Sequence, residues 1–163
     1  MKILWAPWRI EYIKQPKPSG CIFCTKPAEH QDLQNFIVYR GKAAFAIMNY
    51  YPYNNGHLMV VPFRHIAELT DLTSEEKLEL MDLLALSQQA LIETMSPHGF
   101  NIGMNLGQVA GAGVKDHLHF HIVPRWNGDT NYMPICGHTK VVSEGLAETW
   151  HSLKSAFDRL ANQ

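Results

Sequence analysis

The spacing of apolar and polar residues along the 163-residue chain predicts a small set of elements. Strict alternation runs through His117-Leu118-His119-Phe120-His121-Ile122-Val123 and ends at Pro124-Arg125-Trp126. A period of two reads as a half-buried strand, with Leu118, Phe120 and Ile122 on one face and three imidazoles side by side on the other. Residues 36–40 and 43–48 read as a hairpin turning near Gly41-Lys42. A dense turn cluster, Asn49-Tyr50-Tyr51-Pro52-Tyr53-Asn54-Asn55-Gly56, leads into a further strand, His57-Leu58-Met59-Val60-Val61-Pro62. Its tail carries His65, and a fifth strand is expected over residues 100–105.

Two segments have helical spacing instead. Thr73-Ser74-Glu75-Glu76 is a capping box, and the helix it opens runs to about Met95 with Leu80, Leu84, Leu91 and Met95 on one stripe. Pro97-His98-Gly99 ends it. The last helix carries Leu146, Trp150, Leu153, Phe157 and Leu160 at steps of four and three. Both are packing helices. The order of elements predicts an α+β fold: a mainly antiparallel five-stranded sheet with the long helix and the C-terminal helix on one side.

The length fits one domain over residues 1–163, without repeats or low-complexity tracts. Residues 1–20 read as an arm, since Trp5, Trp8, Ile10, Tyr12 and Ile13 are too apolar for water while Pro7, Pro16 and Pro18 forbid a long element. Such an arm lies over the body or over a neighbouring subunit, and Arg9 is expected in a surface salt bridge rather than on a phosphate. A net charge of −1 gives no support for binding long nucleic acid. No apolar run is long enough to span a bilayer, and the opening residues are too few for a signal peptide, so a cytoplasmic location is expected.

Three cysteines argue against a disulfide framework. Cys21-x-x-Cys24 alone is a redox pair, half of a zinc site or two buried thiols; no thioredoxin-like context surrounds it, so the redox reading is set aside. Cys136 is expected to be buried. The histidine row carries more. Before it lies Asn105-Leu106-Gly107-Gln108-Val109-Ala110-Gly111-Ala112-Gly113, whose backbone amides can approach an anion closely. A catalytic metal on the three histidines is the competing reading, but the acidic neighbour, Asp116, points away from them. Anion chemistry is preferred.

His117-x-His119-x-His121-Ile122-Val123 resembles the signature of the histidine-triad family of nucleotide hydrolases and transferases. The resemblance extends through Gly56-His57-Leu58-Met59-Val60-Val61-Pro62 and Asn105 with its Gly-rich loop. Trp5-Ala6-Pro7-Trp8-Arg9, Asn49-Tyr50-Tyr51-Pro52-Tyr53-Asn54, Pro97-His98-Gly99-Phe100-Asn101 and Pro124-Arg125-Trp126-Asn127-Gly128-Asp129 resemble the diadenosine tetraphosphate phosphorylase branch.

The resemblance implies the histidine-triad fold and a set of roles. His119 would attack the α-phosphorus and carry a nucleotidyl intermediate, with its other nitrogen donating to a fixed acceptor such as a backbone carbonyl. His121 would bond the phosphate oxygens and His57 would support the triad. Asn105 and the amides of Gly111, Ala112, Gly113 and Val114 would hold the phosphate, Asn49 the ribose, and Ile47 with Met48 would flank the base. Relatives with a structural zinc imply Cys21, Cys24, His65 and His117 as its ligands. Many relatives place a Ser or Thr hydroxyl near Gly113-Val114, and this sequence has neither. The implied activity is phosphorolysis of diadenosine tetraphosphate to ATP and ADP. Alternatives are hydrolysis by water, adenosine phosphoramidase activity, or a nucleotide-binding partner protein with incidental hydrolysis. A homodimer with sheets joined across a two-fold axis is implied as well.

Overall fold

A computed structural model describes residues 20–129 and 144–162. The arm before Gly20, and Cys136, lie outside the described residues. Two short helices, α1 (Ile22–Ala28) and α2 (Asp32–Asn35), precede strands β1 (Ile37–Arg40), β2 (Ala44–Met48) and β3 (Leu58–Pro62). A 3-10 turn at Leu69–Asp71 and the long helix α3 (Ser74–Met95) lead to β4 (Gly99–Gly103). A second 3-10 turn at Gln108–Ala110, strand β5 (Phe120–Arg125) and helix α4 (Leu146–Leu160) complete the order. The strands form one five-stranded sheet, β1-β2-β3-β5-β4, and every neighbouring pair is antiparallel.

Alternation along each strand sorts the side chains into two layers. Val38, Ala44, Ala46, Met48, Leu58, Val60 and Ile122 face α3 and α4, where Leu80, Leu84, Leu91, Trp150, Leu153 and Phe157 bury against them. Each such large side chain removed from water contributes about 1.5–3 kcal/mol. Phe45, Ile47, Met59 and Val61 face the other way, against Phe23 of α1. β2 and β3 are therefore buried on both faces, which is why β3 reads Leu-Met-Val-Val-Pro rather than alternating.

Local chemistry sets the ends of α3. The Thr73 hydroxyl accepts from Glu76 N at 3.2 Å, and Glu76 accepts from Thr73 N at 2.9 Å, so the capping box forms. Ser96 closes the helix in the left-handed region at φ 46°. In its second turn, Glu79 accepts from Ala43 N at 2.9 Å and Ala44 N at 3.2 Å, which ties α3 to the β1–β2 hairpin. Gly41 admits that contact, because a Cβ there would collide with the Glu79 carboxylate.

Two features differ from the sequence expectation. α1 and α2 are absent from it, because seven and four residues offer too little length for a helical period, and Pro27 sits inside α1. They place a helix on the face expected to be free of them. Regular pairing of β5 begins at Phe120 rather than His117, as its ladder with β3 ends at Val60–Phe120. Ahead of it, Leu118 N donates instead to Ile66 O at 2.7 Å, beyond the end of β3 at Pro62, a residue with no N–H of its own.

Candidate active site

Three of the histidines are aligned on the α1 side of the sheet, and their hydrogen bonds fix which nitrogen of each carries the proton. The Nδ1 of His119 lies 2.8 Å from the His117 carbonyl. A carbonyl only accepts, so Nδ1 holds the hydrogen and Nε2 keeps its lone pair. His57 runs the other way: Tyr53 N donates to its Nδ1 at 3.1 Å, and Asn49 Nδ2 lies 3.3 Å from the same atom. The proton of His57 is thus on Nε2, which lies 3.0 Å from Nδ1 of His121. His121 accepts there and carries its own proton on Nε2. The outcome is a base nitrogen on His119 next to a donor nitrogen on His121, with ring centroids 4.9 Å apart.

Burial keeps these rings neutral. His57 is pushed down to about 3, chiefly by burial and then by the neighbouring His121 and His119. His121 is pushed down to about 4 by burial and by His119. Burial also lowers His119, against the opposing effect of its bond to the His117 carbonyl.

The other expected nucleotide contacts are placed unequally. Ile47 shares the histidine face, in register with Met59, which in turn pairs with His121. Met48 stands on the opposite face, in the core beneath the helices, because consecutive residues of a strand point to opposite sides. The histidine face therefore carries the Ile47 side chain and not that of Met48. Asn49 is engaged locally: its carbonyl accepts from Tyr51 N at 2.9 Å while its amide reaches His57. In the Gly-rich loop, Gly111 N bonds Gln108 O at 3.0 Å and Ala112 N bonds Gly107 O at 3.4 Å. Those two amides are turned inward, unlike the expected four-amide cradle. Asn105 lies beside this turn, with Nδ2 4.0 Å from where a Cβ on Gly111 would stand, and Val114 packs against the Phe23 layer.

Cys21, Cys24, His65 and His117 converge, with all four donor atoms within 4.8 Å of one another. Cys21 caps α1, and the amides of Cys24 and Thr25 both bond its carbonyl at 3.0 Å, so the first turn brings the two sulfurs together. Nδ1 of His117 is 3.2 Å from Cys21 Sγ, 3.5 Å from Cys24 Sγ and 3.3 Å from His65 Nδ1. Bonds of about 2.0–2.3 Å to a tetrahedral zinc require ligand–ligand edges of roughly 3.3–3.8 Å, which these distances approach. Two thiols and two imidazoles without a carboxylate suit that ion. The cluster touches the histidine row through Phe23, whose ring centroid is 5.5 Å from that of His117 and 4.9 Å from that of His119.

Sequence reasoning missed Phe23 and Tyr53. Phe23 was readable only as the apolar residue inside C-x-x-C. Tyr53 acts through its backbone N–H and a ring stacked 4.8 Å from His57, and no side-chain pattern marks a backbone donor.

An antiparallel sheet carrying a histidine row beside a Gly-rich loop is the arrangement of a nucleotide-handling histidine-triad domain, and the chain belongs to that family: the HIT domain matches residues 30–128. It is 40% identical over 164 aligned residues to the AP-4-A phosphorylase of Mycobacterium tuberculosis, covering 96% of this chain and 84% of that protein. A bis(5'-nucleosyl)-tetraphosphatase (asymmetrical) of Schizosaccharomyces pombe is 37% identical over 93 residues, covering 57% of this chain and 50% of that protein. Among solved structures, a zinc-bound histidine triad family protein from Mycobacterium smegmatis superposes with a TM-score of 0.70 at 26% identity, over 88% of this chain and 96% of that one.

Proposed function

We propose that this chain is a nucleotidyl-transferring enzyme that cleaves dinucleoside polyphosphates, with diadenosine tetraphosphate as substrate and inorganic phosphate as acceptor. The observation that carries the reading is the pairing of an unprotonated Nε2 on His119 with a protonated Nε2 on His121. His119 Nε2 attacks the α-phosphorus and forms a P–N bond, while the bond from that phosphorus to the bridging oxygen breaks and ATP leaves. His121 Nε2–H donates to the non-bridging oxygens as charge gathers on them. Phosphate then attacks the adenylyl-histidine, and the P–N bond breaks to give ADP and free imidazole. Asn105 and the Gly113 and Val114 amides hold the phosphate, Ile47 lies under the base, and the second lone pair of the Asn49 carbonyl takes a ribose hydroxyl.

Cys21, Cys24, His65 and His117 hold a structural zinc in this reading. It supplies a closed Cys2His2 clamp between α1 and the histidine row, outside the chemical step. The protein works as a homodimer, supported by the exposed edge of β4, and in the cytoplasm, where Cys21 and Cys24, which form no disulfide, stay reduced and able to hold the metal. Among the described residues no helix is long and apolar enough to cross a membrane.

Incubation with diadenosine tetraphosphate, with and without phosphate, tests the proposal. ATP and ADP formed only with phosphate is the expected result. ATP and AMP regardless of phosphate would identify water as the acceptor, and unchanged dinucleotide would leave a binding protein.

A further inference from the structure

Asn54 is 5% exposed and belongs to none of the roles assigned above. Its amide nitrogen has two hydrogens, and both are used: Nδ2 donates to the Pro124 carbonyl at 2.9 Å and to Asp129 Oδ2 at 2.8 Å. The backbone carbonyl of Asn54 accepts from His57 N at 3.2 Å. One residue earlier, Tyr53 supplies the N–H that bonds His57 Nδ1. Three residues before Pro124 on β5 stands His121, the acceptor of the His57 proton. One buried amide therefore joins the two segments that meet at the His57–His121 contact.

The far end of the bridge is anchored as firmly. Asp129 accepts from Arg125 Nε at 2.6 Å, from Arg125 Nη2 at 3.0 Å and from Trp126 N at 3.3 Å. Arg125 Nη1 donates in turn to Asn101 Oδ1 at 2.7 Å, on β4. The turn that presents this carboxylate passes through Gly128 at φ +79°, a conformation that favours glycine.

We infer that Asn54 and Asp129 are a positioning pair, which holds the Tyr53–His57 turn against the end of β5 so that His57 gives its Nε2 proton to His121 and His121 presents its own on Nε2. The link to catalysis rests on the function proposed above; the link to tautomers does not. A neutral imidazole has two tautomers, and the bond made by one nitrogen selects between them. If the turn shifts, Tyr53 N–H leaves His57 Nδ1, only the longer contact from Asn49 Nδ2 at 3.3 Å still favours a proton on Nε2, and His57 is less firmly held as a donor toward His121. His121 can then hold its proton on Nδ1, which leaves a lone pair on Nε2 where a phosphate oxygen needs a donor.

Asn54→Asp tests this with little change of shape, because it replaces the donating amide by an acceptor facing a carbonyl and a carboxylate. Long-range proton–nitrogen NMR correlations on the metal-replete protein read each imidazole's tautomer directly. The parent should show His57 and His121 as Nε2–H and His119 as Nδ1–H. In Asn54→Asp, His57 and His121 should become mixed while His119 stays unchanged, which reports an intact fold. With diadenosine tetraphosphate, kcat should fall by up to about 10²-fold with KM unchanged. Asp129→Ala, cutting the bridge from its outer side, should do the same and decides the matter if Asn54→Asp does not fold. Parent-like tautomers in the folded variants, or mixed tautomers with unchanged kcat, would overturn the inference. A parent with the stated tautomers and no turnover would instead overturn the functional reading.

Discussion

His117 and Pro62 are joined across the sheet: the ring Nε2 donates to the Pro62 carbonyl at 2.9 Å. The proton on Nε2 leaves the Nδ1 lone pair aimed at Cys21, Cys24 and His65. A histidine whose second nitrogen is held by a carbonyl is the usual form of an oriented metal ligand. Elemental analysis of protein purified without added metal should give about one zinc per chain, as expected for a closed four-ligand site. Cys24→Ser should lose most of it. Chelation should lower the melting temperature first and activity second, since ligation is folding free energy. A metal-free parent that melts as before would sink the site.

His119→Asn should reduce turnover by at least about 10³-fold, because the proposed route forms the covalent bond on His119 Nε2, a nucleophile that the Asn amide does not supply. Asn is a better probe than Ala. His119 is 5% exposed and packed on Phe23, so truncation to Ala opens a cavity, whereas the Asn amide can still donate to the His117 carbonyl. Circular dichroism and zinc content should match the parent. Retention of near-parent turnover in this variant would exclude the adenylyl-histidine route.

Much of this architecture was legible in the sequence because its elements satisfy one strong rule each. The capping box at Thr73 and the four-and-three spacing from Leu146 to Leu160 delimit α3 and α4 closely. The alternation from His117 to Val123 gave the correct faces even though pairing starts only at Phe120. What stayed hidden depends on contacts distant in sequence. Phe36 turns the chain at φ 58° after the four residues of α2, a left-handed position that Gly or Asn would have advertised. The bond from Asn54 to Asp129 spans 75 residues, and each looks like an ordinary turn residue where it stands.

Glu76 makes a pH-dependent contribution to stability. Bonds from Arg64 Nε at 2.6 Å and Nη2 at 2.7 Å, aided by Thr73 N, hold its carboxyl down at about 2. The folded protein therefore keeps Glu76 ionised where the unfolded chain, near 4.5, takes up a proton. The stabilisation is full above pH 4.5 and is lost as pH falls from there through about 2. Arg64 is 51% exposed, so screening limits the pair, and Glu76→Gln should cost roughly 1–2 kcal/mol at pH 7. Urea midpoints of parent and variant should differ at pH 7 and converge by about pH 2, with other carboxylates cancelling between them. A difference independent of pH would assign the loss to packing instead.

The two edges of the sheet are treated differently, and oligomeric state should follow. At the β1 edge, the Trp150 indole donates to the Ile37 carbonyl at 2.9 Å, and α4 packs alongside. At the β4 edge, Asn101, Ile102 and Gly103 are exposed, with Ile102 at 48%. An exposed edge presents backbone donors and acceptors ready to pair with another strand, and a lone protein commonly blunts it with Lys or Pro. β4 reads Gly-Phe-Asn-Ile-Gly and does neither. Two copies meeting edge to edge would satisfy both rows and bury both Ile102 side chains at an isologous contact. Light scattering should therefore report a dimer at micromolar concentration, and Ile102→Lys should shift it toward monomer while leaving the zinc content unchanged. A monomeric parent would remove the dimer from the proposal. A dimer indifferent to Ile102→Lys would move its interface away from β4.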